Sequence, residues 1–263
     1  MVVPPDPRVN QTYISIQYLR AFSALLVVII HLHTSNILPP NNQLHWMFAG
    51  VDIFFVISGF IMVKSTEARD IHTGQFLLKR IIRVVPLYWL LTAIMATSKN
   101  TDFWHNFASF LFIPAIHPRY DDYQPVLTVG WTLNYEMFFY LIFGLSLNLR
   151  ERHRLAAVAL ILILLVAIGQ FTRLPGTLGF YCNPIILEFV AGMAIAKYRI
   201  KLRSWSIPAA LIALPILWQH IDYRLISFGL PAVALVAGCA AIEPKIRPIR
   251  FLNVLGDASY ALY

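Results

Sequence analysis

The 263-residue chain is 58% hydrophobic, only 13% Asp, Glu, Lys or Arg, and carries a formal net charge of +8. That is about half the charged share of a soluble domain, and several apolar runs approach the roughly 20 residues that cross a bilayer, which excludes one large water-soluble core. The basic excess lies in short segments between the apolar runs, where membrane topology accounts for it better than nucleic-acid binding does.

Taken in chain order, the apolar runs predict spans near 14–33, 48–64, 81–98, 128–148, 155–172, 178–197, 205–220 and 225–242, with the start of a ninth near Phe251. The expected fold class is therefore all-α, a polytopic transmembrane helical bundle forming a single integral domain over 1–263. The first run follows a basic residue, but LHTSNILPP after it lacks a small-x-small cleavage pattern, so the segment is expected to be retained. Cys182 and Cys239 are far apart, without CxxC or zinc-ligand spacing, and indicate neither a metal nor a disulfide framework.

The connections alternate in charge. Arg8 and Arg20, then Lys64, Arg69, Lys79, Arg80 and Arg83, then Arg150, Arg152 and Arg154, then Lys197, Arg199, Lys201 and Arg203, and finally Lys245, Arg247 and Arg250 fall on one side. The other side keeps only Lys99, Arg119, Arg173 and Arg224, so the positive-inside rule puts the N-terminus in the cytoplasm. The longest connection, from about Lys99 to Leu127, holds the apolar-aromatic piece NFASFLFIPAI, expected at the outer interface or re-entering the membrane. The closing FLNVLGDASYALY stops after too few residues to span, and the chain is expected to be a piece of a longer one.

Ionisable residues inside apolar runs are functional suspects. Arg20 and His31 are eleven positions apart in QYLRAFSALLVVIIHLH, which is roughly 1,100° of helix and places them on one face, roughly 16 Å apart along the axis. The plain alternative is a snorkelling arginine and a histidine at a hydrated helix end. Asp52, in GVDIFFVISGF, falls at a depth similar to His31, where it either orients the imidazole or caps its own helix. Arg80 and Arg83 form an i,i+3 pair on the first turns of the third span: a phosphate clamp backed by free helix N–H groups, or basic residues that fix topology. Glu136, in VGWTLNYEMFFYLIFGL, is about two turns from its outer end and either serves a substrate or hydrogen-bonds a neighbouring helix. Glu188 is a weaker candidate of the same kind.

The arginine–ten residues–histidine spacing, GVDIFFVISGF, the RxxRxxPLYW run at Arg80, WTLNYEMFFY and LGDASYALY occur in that order from Ile16 to the last residue. Together they resemble the acyltransferase 3 family of membrane O-acyltransferases, particularly its bacterial exopolysaccharide acetyltransferase branch. The resemblance implies an acyl-CoA donor, acetyl-CoA by default, no metal, and a carbohydrate or lipid-linked saccharide acceptor at the bacterial inner membrane. It makes Arg20 and His31 the catalytic pair, Arg80 and Arg83 the basic pair near the donor, and Glu136 the carboxylate of the WTL motif. Asp52 is added to the catalytic group on its depth alone. Family members run through about ten spans and continue SYALY with Leu-x-His, so the last helices are expected to be missing here. Two other readings compete: a proton-linked transporter, since a row of charges across a bundle is also an ion path, and a non-catalytic subunit of polysaccharide export.

Overall fold

A computed structural model of the chain describes residues 13–34, 42–67, 69–98, 101–118, 122–172, 176–246 and 248–262, with Ile37, Pro39 and Leu174. Arg8, Lys99, Arg119, Arg173 and Arg247, used above for topology, lie outside the described residues. Among the described residues there is no strand. The helices are α1 (Ile14–Thr34), α2 (Ala49–Thr66), α3 (Thr73–Ser98), α4 (Phe103–Phe110), α5 (Trp131–Ser146), α6 (Glu151–Phe171), α7 (Gly176–Tyr181), α8 (Leu187–Lys197), α9 (Ser206–His220), α10 (Leu230–Ile242) and α11 (Arg250–Leu262).

Among the described residues, five helical stretches are long and apolar enough to cross a bilayer: Ile14–Thr34, Asn42–Thr66, Thr73–Ser98, Glu151–Phe171 and Leu225–Lys245. The expected eight complete spans are thus not all matched by length. α5 and α9, with 16 and 15 residues, are apolar but short. The run 178–197 is broken. Pro184 withholds a backbone donor, and the Asn183 carboxamide oxygen accepts from Ile185 N at 3.0 Å, capping a separate short turn before the 11-residue α8. α3 differs the other way, starting at Thr73 rather than 81, because Thr73 Oγ1 donates to Gly144 O at 2.7 Å and Phe76 is buried against α5.

α2 is the axis of the bundle. Val51, Phe55 and Met62 join the core formed with α5, α6 and α8, while Ile53, Val56, Ile57 and Phe60 join the core formed with α1, α9 and α10. Exposed Leu78, Ile82, Leu90 and Ile94 on α3, and Leu160, Ile163, Leu164 and Ile168 on α6, form apolar outer walls suited to lipid. α2 and α8 cross with backbones in contact, since a methyl on Gly59 would stand 2.0 Å from Phe189 O and one on Gly192 would stand 1.9 Å from Val56 O.

Helix ends are gathered by charge. The Glu243 carboxylate accepts from Ile14 N and Ser15 N at 2.7 and 2.8 Å and from the Ser15 hydroxyl, satisfying donors at the start of α1 from the end of α10. Glu67 pairs with Lys64 at 2.8 Å and Arg199 at 3.6 Å, and Lys197 meets Glu151 at 3.4 Å. The start of α6 and the ends of α2 and α8 therefore share one face of the bundle.

Candidate active site

Arg20 is turned inward. It is 8% exposed, with Nη1 donating to Gln17 Oε1 at 2.8 Å and Nη2 to Ser259 Oγ at 2.9 Å. Ser259 sits on α11, whose crossing with α1 is close enough that a methyl on Gly256 would stand 2.6 Å from Gln17 O. The guanidinium is held by protein hydrogen bonds, which the snorkelling alternative does not predict.

Glu136, 7% exposed, faces the same space from α5. Its Oε1 accepts from Ser58 Oγ at 2.7 Å and from the Tyr140 hydroxyl one helical turn away. The Arg80 guanidinium lies 5.3 Å from the Phe76 ring centroid and 5.6 Å from that of Tyr140, so the cation is attracted to the face of the same phenol that hydrogen-bonds the carboxylate. Arg20, Ser58, Arg83, Glu136 and Ser259 together line a narrow cavity of about 40 Å³ with an apolar wall from α2. Residues of α1, α2, α3, α5 and α11 meet there. The volume holds two or three waters.

The clamp expected at a helix N-terminus is corrected. With α3 starting at Thr73, Arg80 and Arg83 lie roughly 10 and 15 Å along the helix, beyond the first four free N–H groups. Their donors are guanidinium N–H groups alone. Arg83 is exposed while lining the cavity, and Arg80 is half-buried.

His31 is half-buried on the same unbroken α1, so its axial separation from Arg20 stands at roughly 16 Å. It is not among the residues lining the Arg20 cavity. Its Nδ1 lies 2.7 Å from Val27 O. A carbonyl only accepts, so Nδ1 carries the proton and the neutral ring keeps its lone pair on Nε2.

Asp52 does not orient His31. It is fully buried, and its two oxygens accept from Arg224 Nε at 3.0 Å and Nη2 at 2.7 Å, a bidentate pair across α2 and the turn before α10. Depth along a span was the basis for joining Asp52 to His31, and depth leaves azimuth open. Glu188, also buried, abuts Asp52. Its Oε1 lies 3.0 Å from where a methyl on Gly229 would stand, so the π-helical turn Leu225–Gly229 packs directly on it.

Sequence reading missed Ser58, Tyr140, Arg224 and Ser259. Tyr140 was within reach, being four residues after Glu136 on one helical face. Ser58 and Ser259 lie inside motifs already noted, but a hydroxyl on an apolar helix carries no signal of what it faces.

The acyltransferase domain of the acyltransferase 3 family matches residues 13–263. Exopolysaccharide production protein ExoZ of Rhizobium meliloti (strain 1021) is 37% identical over 238 residues, covering 82% of this chain and 74% of that protein. No solved structure matches. The ordered motifs, the buried Arg20–Glu136 cavity and a match along nearly the whole chain carry one conclusion: the chain belongs to the acyltransferase 3 family and is a membrane enzyme that transfers acyl groups other than aminoacyl groups.

Proposed function

We propose that the chain moves an acyl group, acetyl by default, from acyl-CoA on its N-terminal, cytoplasmic side to a hydroxyl of an exopolysaccharide or lipid-linked saccharide on the other side of the bacterial inner membrane. The observation that carries this reading is the meeting of Arg20, Arg83 and Glu136 in one cavity below His31, whose lone pair sits on Nε2. Exopolysaccharide follows from the relative's name, and the side assignment from the distribution of Lys and Arg.

Arg80 and Arg83 attract the donor's phosphates as fork-shaped cations. Arg20 positions the donor arm, because a continuous α1 keeps its guanidinium too far from the imidazole to serve the same reacting carbon. Glu136 balances the two arginines and fixes Tyr140 and Ser58. A cavity of two or three waters is narrower than a thioester arm, so the exposed Arg83 side chain moves aside as the arm enters. At the far end His31 Nε2 takes the proton of the acceptor hydroxyl as its oxygen attacks the thioester carbonyl. The tetrahedral intermediate then expels the thiolate, which receives that proton from the imidazolium.

Oriented proteoliposomes test the reading. With labelled acetyl-CoA on the N-terminal side and de-O-acylated exopolysaccharide opposite, label is expected in the saccharide. Transfer only when donor and acceptor share the far side, or none at all, overturns it.

A further inference from the structure

A second and larger cavity opens elsewhere in the bundle, with a volume of about 580 Å³, within the range of small-molecule sites. It is built from the stretch 122–124, the start of α5, the end of α6, α7 and the turn 182–184. α6 starts at Glu151, which pairs with Lys197, and its 21 residues carry the chain roughly 31 Å away. The cavity is thus at the face opposite the Glu67–Arg199 ion pair. We propose that this cleft is a saccharide subsite, holding sugar units of the acceptor through Tyr123, Trp131, Asp122, Gln170 and Asn183. The proposal rests on the carbohydrate reading above and names where that substrate is gripped.

A pyranose presents an apolar C–H face and a rim of hydroxyls that each donate and accept. It asks for flat rings beside mixed donors and acceptors. Trp131 and Tyr123, both half-buried, supply the flat rings; Trp131 stands across Tyr135 at 86°, and Tyr135 is itself buried, stacked on Phe180 with centroids 4.1 Å apart and planes at 20°. The Trp131 indole N–H, the Tyr123 hydroxyl and the exposed Gln170 amide make no hydrogen bond to a described residue. Asn183 commits its oxygen to Ile185 N, leaving its two N–H donors. Asp122 accepts from Tyr123 N at 2.7 Å and Gln124 Nε2 at 3.3 Å, and a carboxylate has acceptor sites beyond two.

Charge and polarity select among ligands. Among the described residues the lining holds one carboxylate and no Lys or Arg, and its many polar groups disfavour an acyl chain. The cleft shares no lining residue with the Arg20 cavity, yet adjacent α5 residues serve the two: Tyr135 the cleft, Glu136 the cavity. One helix therefore walls both spaces, and a polymer gripped at the cleft is anchored on the element that carries Glu136.

The test uses the full chain in nanodiscs and de-O-acylated oligosaccharides from the source cells' exopolysaccharide. Binding is followed by calorimetry, and acyl transfer to the polysaccharide is assayed separately. Gln170→Ala and Trp131→Leu are expected to raise the oligosaccharide Kd and the polysaccharide KM about tenfold each, while the acyl-CoA Kd holds. Gln170 is exposed at a helix end, so its variant keeps the fold even if Trp131→Leu does not, and Gln170→Trp, which fills the cleft, is expected to block binding. Wild-type Kd and KM in Gln170→Ala and Gln170→Trp overturn the subsite while leaving the acyltransferase reading intact. Oligosaccharide binding that these variants abolish, in a protein that transfers no acyl group to saccharide, supports the subsite and removes the proposed reaction.

Discussion

Arg20 on α1 and Ser259 on α11 are hydrogen-bonded at 2.9 Å across 239 positions of chain. The bond brings the closing LGDASYALY motif to the arginine of the first span. Ser259→Ala removes one acceptor from a buried guanidinium, a loss of about 1.5 kcal/mol for a bond to a charged group. The acyl-CoA KM is expected to rise about tenfold with kcat little changed if, as proposed, Arg20 positions the donor and does not touch the acceptor. Steady-state kinetics at varied donor concentration read this directly, and a fall in kcat with constant KM would move Arg20 to the reacting carbon.

His31→Ala is expected to lower acyl transfer by about 10²- to 10⁴-fold, the range for a general base. Donor affinity should remain, since Arg83, one of the two arginines proposed to hold the donor's phosphates, lines the Arg20 cavity and not the His31 end of α1. Filter binding of labelled acyl-CoA beside the transfer assay separates the two effects. Full transfer in the variant would end the assignment of Nε2 as base.

Spacing within one helix was readable; what abuts what was not. Arg20 and His31 share a stripe because eleven residues nearly close three turns, and α1 keeps that geometry. Asp52 was placed at the depth of His31, but the partner of its carboxylate is Arg224, 172 positions away and counted only as a loop charge. The close approaches of Gly59 to Phe189 and of Gly192 to Val56 were invisible for a similar reason: a glycine in an apolar run marks a close approach only when its partner helix is known. The break at Asn183–Pro184 did carry a local signal, which an uninterrupted hydropathy profile masks.

Asp52 and Arg224 form a pair of which one member is fully buried. Arg224→Ala leaves an uncompensated carboxylate and is expected to destabilise the bundle by about 3 kcal/mol, the lower end for breaking a buried pair. Asp52→Asn combined with Arg224→Gln removes both charges and should recover most of the loss. Thermal unfolding in one detergent compares them. A severe loss of transfer in Asp52→Asn with wild-type melting would return Asp52 to the catalytic group.

Gly192→Ala would put a methyl 1.9 Å from Val56 O, while Gly74 has nothing within 4 Å of the same substitution. The first forces α2 and α8 apart by about 1 Å and is expected to cost about 3 kcal/mol, the upper range for overpacking. Gly74→Ala, in the first turn of α3, should be neutral or slightly stabilising. Near-equal melting temperatures for the two variants would show that the α2–α8 crossing is looser than the backbone contact implies.

Glu67 offers a pH test at the face that gathers the ends of α2 and α8. Partial burial pushes its carboxyl up, but the hydrogen bond and charge of Lys64, with Arg199 adding to both, outweigh that and hold it below the ordinary 4.5. A carboxyl whose folded pKa is depressed contributes stability that is fully present above its unfolded value and is lost as pH falls through the folded one. The Glu67 side chain is 35% exposed, so solvent screening holds the contribution to about 0.5 kcal/mol. Wild-type protein should therefore lose a small increment of melting temperature between about pH 5 and pH 3 that Glu67→Gln does not lose, and the increment should shrink in high salt. Parallel slopes for the two proteins across that window would mean that Glu67 titrates alike folded and unfolded.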